Sequence, residues 1–182
     1  LSTRSTRLDN GRACWFDLDL PDVIALRRRF FDDTARVRMF EGSVLDIDWF
    51  DVVGRLPGPY LFVSEAVLLY LVEGQVQEVL RNLVDRFPGM TMLFDTGGRD
   101  MMNNQDMNPV FQAIPARMRW VCDHPADLER WGLRWVESRT LAQPQPRIAR
   151  TWPRRYRAGL PLLARIAPAI VNTYKLNRFE LR

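Results

Sequence analysis

Apolar residues in this chain fall into short unbroken runs, separated by longer stretches that repeat with helical spacing. The first run occupies residues 13–21, Ala-Cys-Trp-Phe-Asp-Leu-Asp-Leu-Pro. Its apolar density predicts a buried parallel strand over 13–18, with Cys14 inside it as a small hydrophobe. Pro21 suits the first turn of a helix, where its missing N–H costs nothing. Asp19 is thereby delivered to the carboxyl edge of a sheet, at the start of a strand-to-helix loop, which is where open α/β folds bind ligands. A helix is predicted over 21–31, with Val23, Leu26 and Phe30 on its buried face and Arg27, Arg28 and Arg29 largely away from it. A short strand over 37–40, an exit loop at 41–43 and a helix over 44–53 follow.

Residues 60–64, Tyr-Leu-Phe-Val-Ser, form another unbroken apolar run, expected at the centre of the sheet, and Glu65 stands directly at its end. Residues 67–71 and 74–87 are helical, the second with Val76, Val79, Leu80, Leu83 and Val84 as its buried stripe. Pro88-Gly89 stops that helix, and a strand over 90–94 ends at Asp95. The alternation of strands and helices implies a parallel sheet with helices on both faces. Residues 97–108 are rich in Gly, Asn and Met without a clear period, a candidate loop or lid carrying Met101, Met102 and Met107. A capped helix over 123–132, a strand over 133–141, an apolar helix over 160–171 and an alternating edge strand over 174–181 complete the chain.

Composition narrows the class. At 182 residues, 47% hydrophobic and 26% charged, the chain has the size and make-up of one globular domain. No apolar run approaches the ~20 residues that span a bilayer. The first residues lack an apolar core, so no secretory signal is expected, and without an initiating Met the chain reads as a fragment or processed product. Two cysteines, Cys14 and Cys122, make no disulfide framework, which points to a reducing, cytoplasmic setting. One histidine, His124, and two separated cysteines argue against a zinc site, and no metal is expected. The net charge of +4 comes almost wholly from arginine. Five arginines interleave with Trp152 and Tyr156 over 147–157, a pattern that can bind nucleic acid, but a solvated basic surface is the plainer reading. Neither a nucleic-acid nor a membrane partner is expected, and the oligomeric state is open.

Four segments in order carry a resemblance: Leu1-Ser2-Thr3-Arg4, Trp15-Phe16-Asp17-Leu18-Asp19-Leu20-Pro21, Gly42-Ser43-Val44-Leu45-Asp46, and Phe62-Val63-Ser64-Glu65-Ala66-Val67-Leu68-Leu69-Tyr70. Together they resemble the leucine carboxyl methyltransferase family, in particular its bacterial branch related to polyketide-synthesis O-methyltransferases. The closing segment Tyr174–Leu181 is similar too. The resemblance implies an α/β, Rossmann-like class I methyltransferase fold and S-adenosylmethionine as cofactor. It implies that Asp19 holds the ribose hydroxyls, that Ser43 and Val44 lie against the adenine, that Glu65 contacts the cofactor, and that Arg4 helps shape its site. Where the family has Asp, this chain has Ser2, so one polar contact is expected to be altered. The family's first strand and Gly-rich turn, which precede this point, are absent from the sequence. The chain is therefore expected to form a single partial methyltransferase domain over 1–182, and the fragment alone to bind S-adenosylmethionine poorly or not at all.

Methyl transfer from a sulfonium is an in-line displacement, so the protein mainly positions and desolvates. A carboxylate acceptor needs no base, whereas a hydroxyl benefits from one. The expected function is O-methylation of a small-molecule hydroxyl or carboxyl group. The alternative is a catalytically inactive fragment or binding module. Catalytic candidates are weak. Asp95 ends a strand at the ligand edge, and a capping role is equally open to it. His124 is the ordinary neutral-pH base, but Asp123-His124-Pro125 reads first as a helix-start turn. Asp17 alternates with Asp19 and reads as structural, and Asp46 reads as a helix N-terminal residue.

Overall fold

In the computed structural model, residues 3–182 are described, so Ser2 and the contact expected to change there lie outside them. The chain divides into two compact units, Leu1–Gly58 and Pro59–Arg182.

The smaller unit contains helix α1 (Arg4–Leu8), strand β1 (Trp15–Asp19), helix α2 (Pro21–Arg27), strand β2 (Val37–Glu41) and helix α3 (Asp48–Gly54). β1 and β2 pair in parallel, with Asp19 opposite Glu41. Cys14 falls just before β1 and is exposed, so it is not the small buried hydrophobe expected of it. α2 begins with Pro21 at its first position but ends at Arg27, four residues short of the expected span. Its buried face is also different. Ile24 and Arg27 are buried, while Leu26 and Phe30, expected inside, are exposed. The early helix end takes Phe30 out of register. Arg27 is drawn inward by Asp17, whose Oδ2 accepts from Nη2 at 2.7 Å, and its guanidinium lies 4.7 Å from the Phe31 ring centroid. Asp17 is thus tied to Arg27; as residues i and i+2 of one strand, Asp17 and Asp19 share a face, and it is this ion pair, not their spacing, that sets them apart. Trp49, Phe50 and Val53 of α3 supply further core, the two rings stacked at 3.9 Å.

The larger unit contains β3 (Leu61–Ser64), a 3-10 turn (Leu68–Tyr70), α4 (Glu73–Arg86), β4 (Thr91–Gly97), α5 (Arg99–Asn103), a 3-10 turn (Gln105–Met107) and α6 (Pro109–Ala113). A 3-10 helix (Pro125–Trp131), β5 (Leu133–Arg139), α7 (Pro146–Ala149), α8 (Arg154–Ile166), α9 (Pro168–Val171) and β6 (Tyr174–Leu181) follow. The strand order is β3-β4-β6-β5. β3 runs parallel to β4, but β6 is antiparallel to both β4 and β5, so the sheet is mixed rather than parallel throughout.

Two strand positions are the reverse of those expected. β3 is at an edge of its sheet, with Leu61 and Val63 exposed, although its apolar run suggested the centre. β6, whose alternation suggested an edge, lies between β4 and β5. Alternation reports which face of a strand is buried, not how many strands pair with it. On β6 the buried residues are Asn177, Phe179 and Leu181, and Phe179 stacks on Phe94 at 4.9 Å. α4 buries Val76, Val79, Leu80 and Leu83, each worth about 1.5–3 kcal/mol of removed apolar surface. Gly132 closes the 3-10 helix at φ +90, and a Cβ there would meet Val84 at 3.1 Å, so both conformation and space select glycine.

The segment expected as a loop or lid over 97–108 is mostly short helix. Met102 is buried in a cluster with Leu69, Phe111 and Met118, and only Met107 of the three methionines is largely exposed. The apolar helix expected over 160–171 starts earlier, at Arg154, and breaks at Ala167. Among the described residues, no helix is long and apolar enough to cross a membrane, and no group of three or more His, Cys, Asp or Glu is arranged to hold a metal.

Candidate functional site

In the smaller unit, the parallel register sets Asp19 and Glu41 side by side at the carboxyl ends of β1 and β2. Adjacent strands are about 4.8 Å apart. The loop after β2 is therefore one strand spacing from Asp19, and the Gly42 N–H donates to the Asp19 carbonyl at 3.0 Å. That loop is tightly built. The Asp46 carboxylate accepts from the Ser43 N–H at 2.7 Å, and Ser43 Oγ accepts from the Leu45 N–H at 3.1 Å. A Cβ at Gly42 would meet the Phe40 side chain at 3.2 Å and Asp46 Oδ2 at 3.3 Å, so a side chain there would push both neighbours by a few tenths of an ångström. Asp46 precedes α3 and ties this turn instead of starting the helix.

Asp19 is exposed, and among the described residues its Oδ1 accepts only from the neighbouring Leu20 N–H, at 2.9 Å. It does not cap α2 in the usual manner, through the second or third helical N–H. An ionised carboxylate offers about four acceptor positions. Asp19 thus keeps capacity for two adjacent hydroxyls, while half-buried Ser43 and Val44 stand next to it on the neighbouring loop. Arg4 lies half-buried in α1. The turn after α1 is pinned by Asp9, which accepts from Arg36 at 2.8 and 2.7 Å and from the Gly11 N–H at 3.2 Å. The Arg36 hydrogen bonds hold the Asp9 carboxyl well below the usual range.

In the larger unit, Glu65 follows β3 directly and is exposed. Ala66 comes next with φ +54, the one non-glycine among the described residues in the left-handed region. Its N–H donates to Asp95 Oδ2 at 2.8 Å, and the Tyr174 hydroxyl donates to the same oxygen at 2.7 Å. Asp95 has no exposed surface. Its carboxyl is engaged inside the protein, where it accepts the Ala66 N–H from the turn after β3. Burial, with the Asp95 bond adding to it, pushes the Tyr174 hydroxyl above its ordinary range. His124 is exposed at the start of the 3-10 helix and caps nothing with its side chain. Its neighbour Asp123 accepts from the Arg99 N–H at 2.8 Å, while Lys175 Nζ donates to the Asp123 carbonyl at 2.7 Å.

The structure therefore brings Asp19, Ser43 and Val44 to one edge of the smaller unit, and Glu65 and Asp95 to one strand end of the larger. Ala66 and Tyr174 were missed from the sequence. Ala66 carries no residue-type signal for a left-handed turn, and Tyr174 reads only as one member of an alternating strand.

No protein-family model matches the chain. It is similar to the tetracenomycin polyketide synthesis O-methyltransferase TcmP of Streptomyces glaucescens, 33% identical over 140 residues, which is 75% of this chain and 52% of that protein. The chain thus spans about half the length of the curated relative it matches. Among solved structures it resembles the LepI complex with SAM, with a TM-score of 0.59 and 14% identity, over 98% of this chain and 39% of that one. It also resembles an S-adenosylmethionine dependent methyltransferase from Mesorhizobium loti, with a TM-score of 0.58 and 14% identity, over 92% of this chain and 80% of that one. These likenesses show an α/β fold shared with those structures.

Proposed function

We propose that this chain is the cofactor-binding part of an S-adenosylmethionine-dependent O-methyltransferase acting on a small-molecule hydroxyl or carboxyl group. The observation that carries the reading is the placement of Asp19 beside the Gly42–Val44 turn at the carboxyl edge of a parallel strand pair. A nucleoside needs an acceptor for two vicinal hydroxyls and a surface for its base, and this edge offers both. The similarity to a polyketide-synthesis O-methyltransferase supports this reaction class and a small acceptor.

In this reading Asp19 accepts the ribose hydroxyls, Ser43 and Val44 flank the adenine, Glu65 contacts the cofactor, and Arg4 shapes the site. The cofactor supplies a methyl group activated on a sulfonium. The protein's share is to bind, orient and exclude water. In this reading Asp95 is not assigned the base, its carboxyl being buried and engaged by Ala66 and Tyr174. His124 is exposed and remains the candidate for accepting a proton from a hydroxyl acceptor. The two unpaired cysteines suit a reducing, cytoplasmic setting.

The test is equilibrium titration of a complete protein carrying this chain with S-adenosylhomocysteine. Asp19→Ala should weaken binding by roughly 1–3 kcal/mol, the scale of lost hydrogen bonds to a charged group. An affinity equal to that of the unaltered chain removes Asp19 from the site.

A further inference from the structure

We propose that Tyr174 and Asp95 are positioning residues, which together hold the turn that presents Glu65. The proposal rests on the reading of Glu65 as a cofactor-contacting acid. Glu65 is bracketed. On one side Ser64 is paired with Phe94 in the β3–β4 register. On the other, the Ala66 N–H is tied to Asp95 Oδ2 at 2.8 Å. The single residue between these two anchors has little freedom to swing, although its side chain is exposed.

The tie is anchored in depth. Asp95 is fully buried on β4, which has β3 on one side and β6 on the other. Tyr174 opens β6 and reaches the same Oδ2 at 2.7 Å. Its ring packs against the cluster of Leu69, Met102, Phe111 and Met118. The chain of contacts therefore runs from an apolar core through a hydroxyl and a carboxyl to one backbone N–H.

A carboxyl group buried for packing alone would be a costly choice, because burial of a polar group is tolerated only where hydrogen bonds compensate. Asp95 is only half compensated, since its Oδ1 is buried without a partner, as is Ser64 Oγ nearby in the register. A left-handed non-glycine residue is a second cost at the same spot. Two such costs at one strand end, beside an exposed acid, are explained if the turn's conformation is what the arrangement secures.

The test uses a complete protein that carries this chain, unaltered and as Tyr174→Phe, Glu65→Gln and the double variant. Amide hydrogen exchange at Ala66 reads the tie without any ligand. In Tyr174→Phe, Ala66 exchange should accelerate while the amides of β4 keep their protection. Unchanged exchange at Ala66 overturns the tie. Calorimetric titration with S-adenosylhomocysteine reads its purpose. Tyr174→Phe should weaken binding by roughly tenfold, the scale of one hydrogen bond to a charged group, and should have little further effect once Glu65 is Gln. An equal loss in both backgrounds overturns the route through Glu65 and leaves a merely structural pair. No binding by the unaltered complete protein, or binding untouched by Glu65→Gln, overturns the cofactor role of Glu65 and with it the proposed purpose. Ala66 exchange still decides the tie in that case, so the two failures are separable.

Discussion

Replacing Ala66 by glycine should make the protein more stable, not less. Ala66 sits at φ +54, where an L-residue carrying a Cβ costs about 1–2 kcal/mol. Glycine removes that cost but gives the unfolded chain more freedom, a penalty of about 0.4–1 kcal/mol. The difference favours the glycine variant by about 0.5–1 kcal/mol. The bond from the residue 66 N–H to Asp95 does not involve the side chain, so it survives the substitution and drops out of the comparison. Ala66 is exposed, so no core packing is lost. With a slope near 2 kcal/mol per M, the urea midpoint should rise by about 0.25–0.5 M. Denaturation followed by circular dichroism measures the shift, and amide exchange in β4 assigns it to the larger unit. A lower midpoint for Ala66→Gly would refute the argument, because it would mean that the left-handed conformation costs alanine nothing here. Ala66→Val is the matched control and should lower the midpoint, since β-branching aggravates the same clash.

Burial pushes the Cys122 thiol up to about 12, against 9.0 for the free thiol, with Lys175 opposing the shift. A folded value above the unfolded one gives stability that is fully present below about pH 9 and is lost as pH rises towards 12. Urea midpoints should therefore fall from pH 9 to 10.5, and less steeply in Cys122→Ala; the same slope in both would exclude the thiol as the cause. Native protein should show one rapidly titrating thiol, Cys14, and a second only on unfolding. Asp9 behaves in the opposite sense: the Arg36 bonds lower its carboxyl, so this tie persists above the ordinary carboxylate range and is lost as pH falls below it. Carboxyl NMR titration should show Asp9 ionised at pH 3, and an ordinary midpoint would disprove the pairing. Asn177→Ala removes donors to the Phe94 carbonyl and Thr96 Oγ1, both at 3.1 Å, and the acceptor for Ser138 Oγ at 2.6 Å. At 3% exposure no water replaces them freely, so a cost of about 1–3 kcal/mol is expected in chemical denaturation.

The elements were legible because each strand is a short apolar run and each long helix keeps its period. β1, β2, β4 and the stripe of α4 fall within a few residues of where the pattern puts them. What the pattern does not hold is pairing. The four apolar residues that open residues 60–64 suit a strand covered on both faces, yet β3 has only β4 beside it among the described residues. The alternation of β6 marks one buried face, and says nothing about its antiparallel partners on either side. Arg27 was missed in the core of its unit because its burial depends on Asp17, ten residues away, and not on hydrophobicity. Met102 was misplaced for the complementary reason: a segment without period folded as short helices, whose burial is set by Leu69 and Phe111 from elsewhere in the chain.

The same limit decides what can be said of the strand-end acids. Asp19, Glu65 and Asp95 share one local signature, an apolar run followed by a carboxyl side chain. By sequence alone they are equivalent candidates for a ligand at a sheet's carboxyl edge. The structure separates them by exposure: Asp19 and Glu65 are open, and Asp95 is closed. Topology supplies the cause. β4 has a strand on each side and runs on past Asp95 to Gly97, so the Asp95 carboxyl is met by Ala66 from the turn after one neighbour and by Tyr174 of the other. β1 and β3 each have one neighbouring strand among the described residues, and the acids at their ends, Asp19 and Glu65, are exposed. An acid on an interior strand is thus recruited to hold the turn of an outer one. Position along the strand nominates a residue for ligand contact; the number of strands beside it decides whether the residue meets the ligand or holds the one that does.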